Sequence, residues 1–294
     1  MSARVLDGRE LARELLDGVR LRVRAFERRH GRVPGLAIVS IGMDKASRVY
    51  ARKELEACRR VNISAKLCSP QAPLTERRVR HWLDRLAKDR LVDAILIQSP
   101  IAKPLDFGRV AGGLTGAKDA EGLSFANYAT FFFAKTWSEI QELGIPLPAT
   151  AQAVMTLLAK SRPRLAGAHA VVVGRSRIVG RPVAHLLSAR DATVTLCHSH
   201  TPDLRRHLRL ADIVVAAVGR PGLIRGRDLK RGAIVIDAGI NVRGGKIVGD
   251  VDFETARRIA GCITPVPGGV GPVTTACLLS NVVLCAERRA RGRS

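Results

Sequence analysis

Aromatic side chains are scarce in this 294-residue chain: phenylalanine, tryptophan and tyrosine make up 4% of it, and tyrosine occurs twice. Proteins that bind single-stranded nucleic acid interleave aromatics with basic residues so that bases can stack. No such interleaving occurs here. Acidic residues are also few, 26 against 49 lysines and arginines, leaving a formal charge of +23. The arginines are spread along the chain, with short clusters only at Arg205-Arg206 and in the tail Arg288-Arg289-Ala290-Arg291-Gly292-Arg293. That distribution predicts salt-sensitive adhesion to polyanions and no specific nucleic-acid partner. The six cysteines (Cys58, Cys68, Cys197, Cys262, Cys277 and Cys285) form no CxxC pair. They suggest neither a metal site nor a disulfide framework, and fit reduced thiols in the cytoplasm. No apolar run is expected to span a bilayer, and Met1 to Glu10 is too polar for a signal peptide.

Apolar residues, at 46%, are sufficient for the cores of two modest domains. Strand-like and helix-like segments alternate, which predicts an α/β class. Helices are expected from Gly8 to Arg29, from Asp44 (a possible cap) to Val61, and from Thr75 to Lys88, with strands at Leu36–Ile41, Ser64–Cys68 and Asp93–Ile97. A less regular stretch, Ser99 to Leu147, contains Phe131-Phe132-Phe133, read as buried packing. Pro146 and Pro148 mark a linker. Beyond it the pattern predicts a helix at Thr150–Lys160, strands at Ala170–Val173, Thr193–Cys197, Ile213–Ala216 and Ala233–Ile236, and a last helix from Val273 to Arg288. The expected division is 1–147, completed by the C-terminal helix 273–294, and 148–272: an N-terminal three-layer α/β domain and a Rossmann-type domain, with a cleft between them.

Two motifs point to chemistry. Val171-Val172-Val173-Gly174-Arg175-Ser176-Arg177-Ile178-Val179-Gly180-Arg181-Pro182 reads as strand, glycine turn and helix start. A helix N-terminus offers unpaired N–H groups and the positive end of a dipole to a phosphate. In NAD-binding folds an acidic residue about 20 positions further on holds the ribose hydroxyls. Here Thr193–Cys197 runs into His198-Ser199-His200-Thr201 with no acid at its tip. Arg175, Arg177, Ser199 and Thr201 suit a 2′-phosphate instead, which favours NADP. His198 and His200 lack a carboxylate partner at ligand spacing, so no metal is expected. The second motif is Ile263-Thr264-Pro265-Val266-Pro267-Gly268-Gly269-Val270-Gly271-Pro272, where prolines fix the course of a loop whose glycines let backbone lie against a flat ligand.

That glycine–proline string resembles the C-terminal signature of the bifunctional methylenetetrahydrofolate dehydrogenase/cyclohydrolases. Gly174 to Pro182, Val218-Gly219-Arg220-Pro221-Gly222, Ile236-Asp237-Ala238-Gly239-Ile240-Asn241 and Gly249-Asp250-Val251-Asp252 resemble the same family's cofactor domain, and the likeness runs from Leu6-Asp7-Gly8 to Asn281. The resemblance implies NADP held by Gly174, Arg175, Ser176, Ile178, Gly180, Ser199, Thr201 and Ile240. It implies a folate substrate against Tyr50, Pro267, Gly268 and Gly269, and a homodimer. The family's catalytic frame is a tyrosine and a lysine at i and i+4, a glutamine after a strand, and an aspartate in a Lys-Asp-x-Asp-Gly string. Tyr50 and Gln98 match it. The lysine position holds Glu54, and Lys118-Asp119-Ala120-Glu121-Gly122 places Glu121 at the aspartate position. Lys53 adjoins position 54 but is turned about 100° round the helix. Pro148-Ala149-Thr150-Ala151-Gln152-Ala153 keeps only the proline and Thr150 of the family's Pro-Cys-Thr-Pro-x-Gly.

Tyr50, Gln98, Glu121 and Glu54 are therefore the candidate catalytic residues. Oxidation of 5,10-methylenetetrahydrofolate needs orientation more than a protein base. Hydrolysis to 10-formyltetrahydrofolate needs a proton shuttle, so loss of the lysine threatens the hydrolytic step. Two alternatives remain at this point: a paralogue acting on another substrate, and a non-catalytic NADP-binding protein.

Overall fold

The computed structural model describes residues 2–42, 45–71, 74–161 and 163–292; of residues 45–50 it describes the helical backbone and not the side chains. In chain order the elements are β1 (Arg4–Val5), α1 (Gly8–His30), β2 (Gly35–Val39), α2 (Lys45–Arg60), β3 (Ser64–Cys68), α3 (Glu76–Lys88), β4 (Ala94–Ile97), α4 (Phe107–Gly112), α5 (Phe125–Phe133), α6 (Trp137–Glu142), α7 (Ala149–Ser161), β5 (His169–Val173), α8 (Gly180–Ser188), β6 (Thr193–Cys197), α9 (Leu204–Leu210), β7 (Ile213–Ala216), β8 (Ile234–Asp237), β9 (Asn241–Arg243), β10 (Lys246–Val248), α10 (Phe253–Ala256), β11 (Cys262–Ile263) and α11 (Val270–Arg291).

The chain forms two compact units. One comprises Glu14–Ala134, Gln141–Ala149 and Leu278–Ser294. Its sheet is parallel, in the order β3-β2-β4. Ala37 and Val39 of β2 pack with Val79 and Leu83 of α3 and Val110 of α4 in one core cluster. Leu36 and Ile38 point the opposite way and are equally buried. Side chains alternate across a strand, so a strand buried on both faces belongs to a middle layer. Thr75 caps α3, its hydroxyl accepting from the Arg78 N–H at 3.3 Å. Asp44, the expected cap of α2, lies outside the described residues. Beneath the sheet ends, Asp93 is completely buried and accepts from Arg32 (2.6 and 2.9 Å), Arg289 (2.6 Å) and the Gly35 N–H (2.9 Å). These bonds tie together segments nearly 200 residues apart in sequence.

The other unit comprises Met1–Arg13, Lys135–Ile140 and Thr150–Cys277. Its six strands are parallel in the order β1-β11-β8-β7-β5-β6. From β5 the chain goes to β6 on one side and then to β7 on the other. The end of β5 is thus a topological switch point, where open α/β sheets bind ligands.

Several expectations need correction. Strand β1 completes the edge of the six-stranded sheet through β11, and α11 passes from one unit to the other at Cys277. Residues 99–147 carry α4, α5 and α6. Phe131 is buried, but Phe132 is 36% and Phe133 92% exposed, since neighbours on a helix point about 100° apart. Helix α11 does have the length and composition to cross a membrane, although most of its apolar stretch is buried in protein.

Candidate active site

In the first unit three of the expected residues meet. Helix α2 presents Glu54 half-buried and one turn beyond position 50. The side chain of Tyr50 lies outside the described residues. Gln98 follows β4, is 7% exposed, and is held by its own N–H on the Val39 carbonyl at 2.8 Å. Its side-chain amide Nε2 donates to Glu54 Oε2. Burial pushes the Glu54 carboxyl up to about 7, with the Gln98 hydrogen bond opposing part of that rise. Arg52 and Lys53 lie on the exposed side of α2.

Glu121 is placed by a loop laid along β4, where the Ala120 N–H donates to the Ile95 carbonyl at 3.1 Å. The organiser of that loop is Asp119, 1% exposed. It accepts from the N–H groups of Glu121 (3.1 Å) and Ser124 (2.7 Å) and from Asn127 Nδ2 (3.1 Å). Asn281 closes the loop, donating to the carbonyls of Ala120 and Leu147, each at 2.9 Å. Glu121 is pushed up to about 8, chiefly by burial, then by the charges of Asp119 and Glu54. Two carboxyls that each feel the other cannot both ionise cheaply, so near neutrality the pair retains a proton. Asp119 was missed as a functional residue. Its signal was an aspartate followed at short range by Ser124 and Asn127, a pattern that suits side-chain acceptance of backbone N–H groups.

In the second unit the switch point is built as the motif predicted. Gly174 has φ +119°, and a Cβ there would stand 2.2 Å from the Ala217 carbonyl oxygen. A Cβ on Gly180 would stand 1.9 Å from the Gly174 carbonyl oxygen. Only glycine lets the turn close on α8 in this way. Ser176 is the cap of that turn, its hydroxyl accepting from the N–H groups of Val179 (3.1 Å) and Gly180 (3.3 Å). Arg175 and Arg177 are exposed beside it, and Ile178 is half-buried. Beyond β6, Thr201 accepts from the His198 N–H at 2.9 Å and Ser199 is exposed. His198 Nδ1 accepts from the His200 N–H at 3.2 Å, and burial together with Arg175 and His200 lowers the imidazole's pKa, so that ring stays neutral. A positive, hydroxyl-bearing surface without a carboxylate therefore sits at the tip of β6. It fits a phosphorylated ribose better than a free diol. Among the described residues no three His, Cys, Asp or Glu side chains gather as a metal site.

Two buried aspartates hold the neighbouring loops. Asp250 accepts from the N–H groups of Val218 (2.6 Å), Gly219 (3.0 Å) and Arg220 (2.8 Å) and from Asn241 Nδ2 (2.9 Å). Asp237 accepts from Gly239 (2.9 Å), Asp250 (3.1 Å) and Val251 (2.8 Å), and burial raises it to about 6. Ile240 is 53% exposed. The Pro267–Gly269 loop differs in emphasis from its sequence reading. Pro267 is exposed, while Gly268 and Gly269 are buried and admit the start of α1: a Cβ on Gly8 would fall 1.8 Å from the Gly269 carbonyl oxygen.

Residues 6–121 match the catalytic domain, and residues 148–290 the NAD(P)-binding domain, of the tetrahydrofolate dehydrogenase/cyclohydrolases. The chain is 42% identical over 294 residues to the bifunctional protein FolD of Bordetella bronchiseptica, covering 99% of this chain and all of the relative. It is 44% identical over 289 residues to that of Moorella thermoacetica, covering 98% and 100%. The chain belongs to the tetrahydrofolate dehydrogenase/cyclohydrolase family. A solved member from Trypanosoma brucei, an N5,N10-methylenetetrahydrofolate dehydrogenase-cyclohydrolase complexed with NADP and an inhibitor, superposes with a TM-score of 0.91 at 37% identity, with 99% of each chain covered. In this member of the family the catalytic domain carries Glu54 with Gln98, and the NAD(P)-binding domain carries Gly174 with Arg175.

Proposed function

We propose that this protein oxidises 5,10-methylenetetrahydrofolate to 5,10-methenyltetrahydrofolate with NADP, and hydrolyses the product to 10-formyltetrahydrofolate. The observation that carries the reading is the family match over both domains, together with a β6 tip that offers arginine and hydroxyl groups and no acid. NADP supplies the hydride acceptor when bound. The chain's part is to cradle the pyrophosphate on the Gly174–Gly180 turn and the 2′-phosphate with Arg175, Ser199 and Thr201. Tyr50 positions the pterin, and Gln98 and Glu121 bind its polar edge.

The relatives are named as bifunctional proteins, so the comparisons lend no support to a loss of hydrolysis, to a repurposed paralogue or to a silent cofactor binder. A cytoplasmic location and a homodimer complete the proposal. The first rests on six free cysteines and the second on the family resemblance.

The test is to mix the purified protein with 5,10-methylenetetrahydrofolate and NADP and follow NADPH and the methenyl product together. Both should form, and NADPH should form faster with NADP than with NAD. Protein that binds NADP and yields no NADPH would end this reading.

A further inference from the structure

We infer that Glu54, held by Gln98 at the end of β4, is the proton-transfer residue of the hydrolytic step in this chain. The inference rests on the function proposed above and adds the residue that does the work. Glu54 stands one helical turn from position 50, where the family frame places an amine, so the position is right and the chemistry is replaced. The geometry around it limits the candidates. Gln98 is buried and spends its amide Nε2 on the Glu54 carboxylate, which aims that carboxyl without itself taking or giving a proton. Arg52 and Lys53 are on the exposed side of α2. Cys58, one turn further along α2, is buried and pushed up to about 12, partly by Glu54, so it stays a thiol.

The groups that bear on Glu54 are thus Gln98 from the end of β4, Cys58 from its own helix, and Glu121 from the loop organised by Asp119. Burial raises both carboxyls toward neutrality, Glu54 to about 7 and Glu121 to about 8, so the pair changes charge around neutral pH. A base with that property is matched to its task, because a useful catalytic pKa lies near the working pH. A carboxylate there also attracts the cationic methenyl bridge, which favours binding of that substrate.

A C–O bond forms between water oxygen and the one-carbon bridge while Glu54 takes one water proton, giving a neutral carbinolamine. The hydroxyl proton then leaves to solvent as the carbonyl forms. The carbon–N5 bond breaks, its electron pair stays on N5, and N5 takes the proton back from Glu54. Methenyl cation and water have become 10-formyltetrahydrofolate and one proton.

The experiment measures decay of 5,10-methenyltetrahydrofolate with the intact enzyme, above the spontaneous rate in the same buffer, across pH. The expected profile rises with pH and levels off above an inflection at about 7. Glu54→Gln should lower the ratio of catalysed hydrolysis to NADPH formation on the order of 100-fold and abolish the inflection. Glu54→Asp should keep the inflection at a reduced rate. Hydrolysis by Glu54→Gln at the wild-type rate overturns the inference, as does a wild-type profile without the inflection. Wild-type enzyme that makes NADPH while methenyl decays only spontaneously also overturns it, and leaves the dehydrogenase reading standing. Glu54-dependent hydrolysis without NADPH formation would do the reverse.

Discussion

Replacing Asp250 by asparagine isolates what a buried carboxylate contributes to the cofactor domain. The side chain is fully buried, and its two oxygens accept four N–H donors: Val218 and Gly219 on one, Arg220 and Asn241 on the other. Asparagine has the same shape but a single acceptor oxygen. Whichever way the amide turns, two of the four donors face an NH2 group. Hydrogen bonds to a charged group are worth about 1.5–3 kcal/mol each, and a buried donor left unpaired costs about 1–3 kcal/mol. Two lost bonds therefore cost about 3–6 kcal/mol. Part of this returns, because Asp237 is raised to about 6 partly by the Asp250 charge, and removing that charge relieves it. Burial is the larger cause of that rise and the Asp250 charge the last of them, so the relief is small beside the lost bonds and the net loss stays at about 2–5 kcal/mol. Urea unfolding followed by far-UV circular dichroism reads the change as a lower midpoint at unchanged slope. Carboxyl NMR should show the Asp237 pKa moving down. A midpoint shift worth less than about 0.5 kcal/mol, the scatter expected of surface changes, would refute the argument that this carboxylate pins the loops.

Three further outcomes follow from the same geometry. Gly174→Ala puts a methyl group 2.2 Å from the Ala217 carbonyl oxygen at a φ of +119°, so NADP affinity measured by calorimetry should fall more than about 10-fold, and unchanged affinity would contradict the tight-turn reading. Arg175→Ala should weaken NADP by about 10-fold while leaving NAD nearly unaffected; equal loss for both would mean that the arginine does not face the 2′-phosphate. Glu121 has a folded pKa of about 8 against 4.5 for the unconstrained side chain, so the folded state binds more protons across that window and stability falls as pH rises from about 4.5 through about 8. Glu121→Gln should remove that dependence and raise Tm more at about pH 8 than at about pH 5 in differential scanning calorimetry; a Tm gain that is the same at both would refute it.

What the sequence made legible follows the kind of interaction involved. Buried parallel strands are continuous apolar runs, so β4, β5 and β7 could be read directly from segments such as Ala94–Ile97 and Val171-Val172-Val173. Strand β1 could not. It is two exposed residues, Arg4 and Val5, and exists because β11 offers an unpaired edge. The β9–β10 hairpin carried its own signal in Gly244-Gly245, both at positive φ, which a two-residue turn demands. At the candidate site, spacing sufficed to place Glu54 opposite the family's lysine, and a bare charge count at that position reads as an anion set near a second anion, Glu121. Burial changes that. A desolvated carboxyl that accepts from a neutral amide holds its proton until about neutral pH, and its charge in turn helps hold the proton on Glu121. The property belongs to neither residue type. It arises from Gln98 lying 44 positions away in sequence and from Asp119 folding the Glu121 loop onto β4. An acid can therefore stand where an amine stood without turning the site into a pair of fixed negative charges.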